Sequence, residues 1–276
     1  MNSIGGYLGM EFQQGKGYHD QMIRLNTGRN AFEYILRVRG YETIYLPYYS
    51  CDVLLEPINK LGLKHIFYHI NNELDPIEDI DVKDKECVLY VNYFGLKNDT
   101  VERLCKSTKN IIIDNSQAFF SKSPKGIDTF YSCRKFFGVP DGAYLNIKTA
   151  DKLDVPVDTS YDRCTHLLRS IDKGTEVGYQ DFIDNETNLK GQEIKKMSAL
   201  TQTILAGIDY DDCRERRNKN FQYLHQHLGT SNELMINFKR IDGPLVYPLL
   251  MSGQGVKEKL IGQKIFVATY WPNVLD

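Results

Sequence analysis

Asp114, Gln117 and Lys135 are the side chains that could do chemistry together, all within residues 110–142. The β-branched run 110–113 ends at Asp114, and a continuous apolar run of this length reads as a strand buried on both faces. Its carboxylate then lies at the edge where open parallel sheets bind ligands. A second run, 129–133, leads through Arg134 to Lys135, which Phe136, Phe137, Gly138, Val139 and Pro140 follow. An amine between an apolar strand and two phenylalanines is poorly solvated, which favours a neutral nucleophile able to form a Schiff base.

Taken singly, these residues have plainer explanations. An Asp at a strand end commonly accepts a turn or cap hydrogen bond, and Arg134 with Lys135 reads as a solvated basic pair. The combination says more: an acid to face a pyridinium, a lysine further on, and a phosphate site elsewhere in the chain. That phosphate site is read at Thr27, Gly28 and Arg29, where Asn26 or Thr27 can cap a helix running to Gly40. Free amides at the helix start favour an anion by about 0.5–2 kcal/mol. Gly28 lets the anion approach, and Arg29 adds a charge-assisted contact. The plainer reading is an ordinary capped helix.

The elements that must position these groups alternate. Strands are expected at 43–46, 64–70, 87–91, 110–113, 129–133 and 143–147, with helices at 52–61 and 100–106 between them. Such alternation predicts a three-layer αβα sandwich with a mainly parallel central sheet. Residues 2–20, rich in glycine and aromatics, read as an arm, and 154–192 as charged and turn-rich with one helix at 166–171. Long helical patterns occupy 197–208 and 211–228. Strands at 237–241, 246–250 and 265–270 with a helix at 256–261 suggest a small α+β lobe. The expected domains are 1–196, the connecting helices 197–228, and a small domain, 229–276. No strand-turn-helix unit carries paired glycines or a P-loop.

Composition narrows the function classes. The chain has 276 residues and a formal net charge of −2, which argues against nucleic-acid binding through a basic field. No apolar run is long enough to span a membrane, and the amino terminus lacks a charged-then-apolar leader, so a cytoplasmic protein is expected. The cysteines are scattered, which fits reduced thiols. His65 and His69 share a strand face but lie ~13 Å apart, and His225 and His227 point to different helix faces. No metal is expected.

The run Asp114, Asn115, Ser116, Gln117, Ala118 with Lys135, Phe136, Phe137, Gly138 resembles the paired signatures of the DegT/StrS-type sugar aminotransferases, pyridoxal-phosphate (PLP) enzymes of fold type I. The likeness runs from about residue 5 to 271, with its specific motifs concentrated here and near Gly28. It implies a homodimer with shared active sites, a glutamate donor and a nucleotide-linked keto sugar as acceptor. Lys135 would carry PLP, Asp114 would keep the ring nitrogen protonated, and Gln117 would bond the ring hydroxyl oxygen. Thr27, Gly28, Arg29 and Ser132 would hold the phosphate, with Ser132 requiring a one-residue deletion before the lysine. The sequence departs from the family in three places. Cys51 stands where an aromatic usually stacks on the ring, leaving Tyr49, Tyr93 or Phe94 to serve, and Tyr49 is taken as the candidate. A position near Ile194 replaces an Asn lent to the neighbouring subunit's phosphate. Relatives also continue beyond this chain with a further helix and strand, so the closing lobe is expected to be short. These departures keep open a non-catalytic binding or regulatory dimer of the same fold. A sugar dehydratase ranks lower, since such relatives tend to replace the lysine.

Overall fold

A computed structural model describes residues 6–235, 241–252 and 255–275. Seven strands form one sheet: β1 (Ile23–Leu25), β2 (Thr43–Pro47), β3 (Lys64–Tyr68), β4 (Glu86–Val91), β5 (Ile111–Asp114), β6 (Asp128–Ser132) and β7 (Ala143–Asn146). Their spatial order is β1-β7-β6-β5-β4-β2-β3. Pairing is parallel from β3 through β2, β4 and β5 to β6, while β7 runs antiparallel to both β6 and β1. Helices α1 (Gly28–Arg39), α2 (Leu55–Lys60) and α3 (Asn98–Ser107) alternate with the early strands. The expected α/β class and mainly parallel sheet are present.

The apolar runs explain the centre. Ile111, Ile112 and Ile113 of β5 are buried on both faces, as are Leu89, Tyr90 and Val91 of β4. Register places Val91 beside Asp114, and Asp114 beside Phe130, in one row at the strands' carboxyl ends. Helix α1 covers one face through Ala31, Phe32, Ile35 and Leu36, and Phe32 stacks on Phe130 at 5.8 Å. Its far end is tied to the sheet by Arg39, whose Nε–H and Nη2–H each donate to the Asp128 carboxylate at 2.7 Å. A second core packs Phe119, Phe120, Tyr131, Phe136 and Tyr144 under α6 (Ala199–Ala206) and α7 (Tyr210–Leu228).

Two elements escape the sequence reading. β1 lies between the expected arm, 2–20, and the helix start, where no strand is expected, and α5 (Tyr179–Asn188) forms with α4 (Thr165–Lys173) in the stretch expected to be turn-rich. Two expected strands also need correction. Residues 246–250 and 265–270 form no strand, while 237–240 of the strand expected at 237–241 lie outside the described residues. Val246, Tyr247 and Tyr270 pack instead on existing core, Tyr247 meeting Phe221 edge-on at 5.0 Å. Helix α8 (Val256–Gly262) forms as expected.

His19 sits inside the second core, 8% exposed, with its Nε2 2.7 Å from the Phe119 carbonyl oxygen. Burial lowers its pKa from 6.5 to about 4. The unfolded chain therefore binds the proton more readily, and stability falls as pH drops from 6.5 toward 4, by up to about 3 kcal/mol. Melting temperature measured across that window should decline, and His19→Leu, although less stable at neutral pH, should flatten the decline.

Candidate active site

A cavity of about 280 Å³ opens at the carboxyl edge of the sheet, and Asp114, Gln117, Ser132 and Lys135 line it from β5, β6 and the turns that follow. Thr27, Gly28 and Arg29 reach the same cavity from the start of α1. Residues far apart in sequence thus meet at one edge because β5 and β6 are parallel neighbours.

Asp114 is 5% exposed, and one oxygen accepts the Ser116 N–H at 2.7 Å. Burial raises its pKa, while the Lys135 charge and the Ser116 bonds oppose the rise. The turn role and the site role coexist in one side chain, because a carboxylate has two oxygens. Lys135 Nζ–H donates to Ser116 Oγ at 3.3 Å, so this serine links acid and amine. The expected burial of the lysine does not occur. Lys135 is exposed toward the cavity, because Phe136 and Phe137 turn away into the second core against Phe119.

Gln117 is fully buried. Its Oε1 accepts the Phe94 N–H at 2.8 Å, which fixes the amide and leaves Nε2 without a partner. A buried donor left unpaired costs about 1–3 kcal/mol, so a ligand oxygen at that point would be welcome. Phe94 itself has φ 58°, an uncommon conformation for a residue with a side chain.

At the start of α1, Thr27 Oγ1 accepts the Asn30 N–H at 3.1 Å and donates to Asn30 Oδ1 at 2.9 Å. Its hydroxyl caps the helix, so its offer to an anion is backbone. A Cβ placed at Gly28 would meet Phe130 and Ser132 only at 3.9 Å, in ordinary contact. The glycine therefore keeps cavity space open rather than relieving a clash. Arg29 Nη1–H donates to Glu56 at 2.6 Å and to the Leu189 carbonyl at 3.3 Å. Gly142, with φ 120°, is different: a Cβ there would press on Cys133 and Thr201 at 3.0–3.3 Å. Its N–H donates to the Asn26 carbonyl, which fastens the end of the lysine loop to the start of α1.

Tyr49 is not among the residues lining the cavity. It lies edge-on to Trp271 with ring centroids 5.0 Å apart, and burial pushes its hydroxyl up to about 12. Trp271, 8% exposed, supplies an aromatic to the lining, and Asn273 Nδ2–H holds this segment to the Ser50 carbonyl at 3.1 Å. Cys51 lines the cavity beside it. The Arg134 guanidinium, read as part of a solvated pair, is instead only 16% exposed and bonded to Glu186 of α5. Burial lowers its pKa to about 10, with the neighbouring Arg29 adding to the effect. Arg134 next to the lysine and a single tryptophan were the available signals; Glu186 and Phe182 had none, because α5 was not read as a helix.

The set fits a phosphorylated pyridine: a buried acid, an amine, an orphaned amide donor and an open glycine at a helix start. No family model matches the sequence, and no curated protein is similar to it. Solved structures do match. A DegT/DnrJ/EryC1/StrS aminotransferase from Brucella abortus is 14% identical, with TM-score 0.56, covering 91% of this chain and 71% of the other. Sugar aminotransferase CalS13 from Micromonospora echinospora is 13% identical, with TM-score 0.57 over 90% and 73%. The PLP form of Spr1654 from Streptococcus pneumoniae is 14% identical, with TM-score 0.57 over 92% and 74%. The chain has the fold of the sugar aminotransferases. In this fold-type-I chain the arrangement of the site rests on its own residues. Among the described residues no cluster of His, Cys, Asp or Glu is placed to hold a metal ion, and no helix is long and apolar enough to cross a membrane.

Gly28→Ala should fold with stability within about 1 kcal/mol of the parent, since its Cβ meets no obstacle. The same Cβ should obstruct an anion, so stabilisation by inorganic phosphate in a thermal melt should shrink or vanish.

Proposed function

We propose that the protein is a PLP-dependent aminotransferase transferring an amino group from glutamate to a nucleotide-linked keto sugar, in surface-polysaccharide or secondary-metabolite biosynthesis. The observation that carries this reading is the meeting of Asp114, Lys135 and the orphaned Gln117 amide around one cavity. Residues 1–196 would form the cofactor domain, 197–228 the connecting helices and 229–276 the small domain, in a cytoplasmic protein. The fold, shared with proteins solved in PLP and PMP forms, supports the cofactor.

When bound, PLP supplies an aldehyde that condenses with amines and a ring that withdraws electrons from the bond being broken. Asp114 holds a proton at the ring nitrogen, and each pKa unit of that stabilisation is worth about 1.4 kcal/mol. Its burial makes the carboxylate seek a cation. Gln117 Nε2–H donates to the ring oxygen. Lys135, exposed to the cavity and steadied by Ser116 Oγ, takes the proton from the substrate carbon and returns it across the site. Trp271 and Phe130 line the cavity with apolar surface that limits water.

A homodimer is also proposed. Leu168 and Ile171 of α4 and Tyr179 and Ile183 of α5 are exposed, α5 being the helix that lends Phe182 and Glu186 to the cavity, a surface suited to a second copy. Sedimentation should give twice the chain mass; a monomer at all concentrations would reject it.

With PLP the protein should absorb in the visible, gain a borohydride-reducible mass on Lys135, and lose its colour with glutamate. Lys135→Ala should abolish adduct and half-reaction with its circular dichroism unchanged. Asp114→Asn should keep the adduct but slow the half-reaction roughly 100-fold or more. A colourless protein whose mass is unchanged by reduction would instead indicate a binding module.

A further inference from the structure

Arg134 is bonded to a carboxylate, yet its buried Nε remains without a partner. Glu186 engages only the Nη2 end of the planar fork. A guanidinium presents Nε–H and Nη–H side by side, and one tetrahedral anion can accept from both. Single-ended pairing therefore leaves a donor unused.

The surroundings are rich in positive charge. Arg134 lies in the field of Arg29 and of Arg163, opposed by the Asp141 carboxylate, whose oxygens are already taken by Ser198 and Thr201. Arg163 is committed to Asp158 at 2.7 Å and Arg29 to Glu56 at 2.6 Å, and Arg29 and Arg134 both line the cavity with Gly28 and Ser132. Both are tied to the end of α5, Arg134 through Glu186 of its last turn and Arg29 through the carbonyl of Leu189 that follows it. The Glu186 side chain is 37% exposed, so it can leave for water at small cost, whereas Arg134 at 16% cannot.

We propose that Arg134 is a phosphate-binding residue supplied by the chain to its own cavity, and that Glu186 is a placeholder carboxylate displaced when the phosphate arrives. This deepens the cofactor reading and rests on it. A phosphate accepting from Nε and Nη2 satisfies the orphaned donor, and its charge repels Glu186 from the shared Nη2. Departure of Glu186 removes one of the contacts holding the end of α5.

The test titrates PLP and unphosphorylated pyridoxal against the full chain, reading the quenching of Trp271 emission, the chain's single tryptophan. Arg134→Gln should weaken PLP about 10- to 100-fold and leave pyridoxal unchanged. Glu186→Gln should tighten PLP, and inorganic phosphate should raise its melting temperature more than that of the parent. Equal losses for both ligands in Arg134→Gln, or weaker PLP binding in Glu186→Gln, would overturn the proposal in favour of a structural ion pair. Should Arg134→Gln fail to fold, Arg134→Lys decides: it keeps the charge but loses the fork, so PLP should still weaken selectively, and unchanged PLP affinity would reject the assignment. A parent that binds neither PLP nor pyridoxal would overturn the cofactor reading itself, and the proposal with it, whereas selective failure in the variants leaves that reading intact.

Discussion

A carboxylate withdrawn from water at the end of β5 is the constraint to which the rest of the site answers. Burying such a charge without compensation is costly. Asp114 cannot retreat, because β5 is hydrogen-bonded to β4 and β6 and covered on both faces. Compensation has to be brought to it. The Ser116 amide arrives from the turn that follows, and the Lys135 charge from the loop after β6. What remains uncompensated, a carboxyl whose pKa burial raises, is suited to a cationic ligand.

The opposite end of the cavity is built by polar side chains rather than apolar packing. Asn30 donates from Nδ2 to the Gln192 and Glu193 carbonyls at 3.1 and 2.6 Å, and Asn26 donates to the Glu193 carbonyl at 3.1 Å. These bonds draw residues 192–195 against the first turn of α1. Buried amides of this kind specify position because each alternative leaves a group unsatisfied. The start of the helix is therefore fixed from one side by this segment and from the other by Gly142.

Legibility from sequence followed the range of the interactions. β4, β5 and β6 were readable because strands buried on both faces are continuous apolar runs. The capped start of α1 was readable because Thr27 and Asn30 act on each other locally. Tertiary context set the rest. β1 is a short strand that exists because β7 offers it an antiparallel edge. α5 exposes most of its surface, with Asn185 its only buried residue, so no apolar stripe announces it. Arg134 is charged at a position whose burial comes from distant helices, and adjacency to Lys135 concealed this. The orientation of Lys135 was misjudged for a related reason: apolar neighbours in sequence need not be neighbours of the side chain. Trp271 lies far along the chain from the other lining residues, and sequence periodicity carries no sign of such a meeting.

The antiparallel course of β7 has a consequence for how this protein can vary. Ser132 pairs with Ala143, and Cys133 N–H donates to the Gly142 carbonyl at 3.0 Å, so the segment bearing the amine is a closed excursion from a hairpin. In the parallel part of the sheet, a crossover connection can absorb an inserted residue far from the ligand. Here both exits are clamped, and any change in loop length must appear as a displacement or rotation of the nitrogen. Drift by substitution is thus open to this stretch, while drift by insertion or deletion demands matching changes across the cavity. The spacing from Ser132 to Lys135 is accordingly a dimension of the site as much as any distance between atoms.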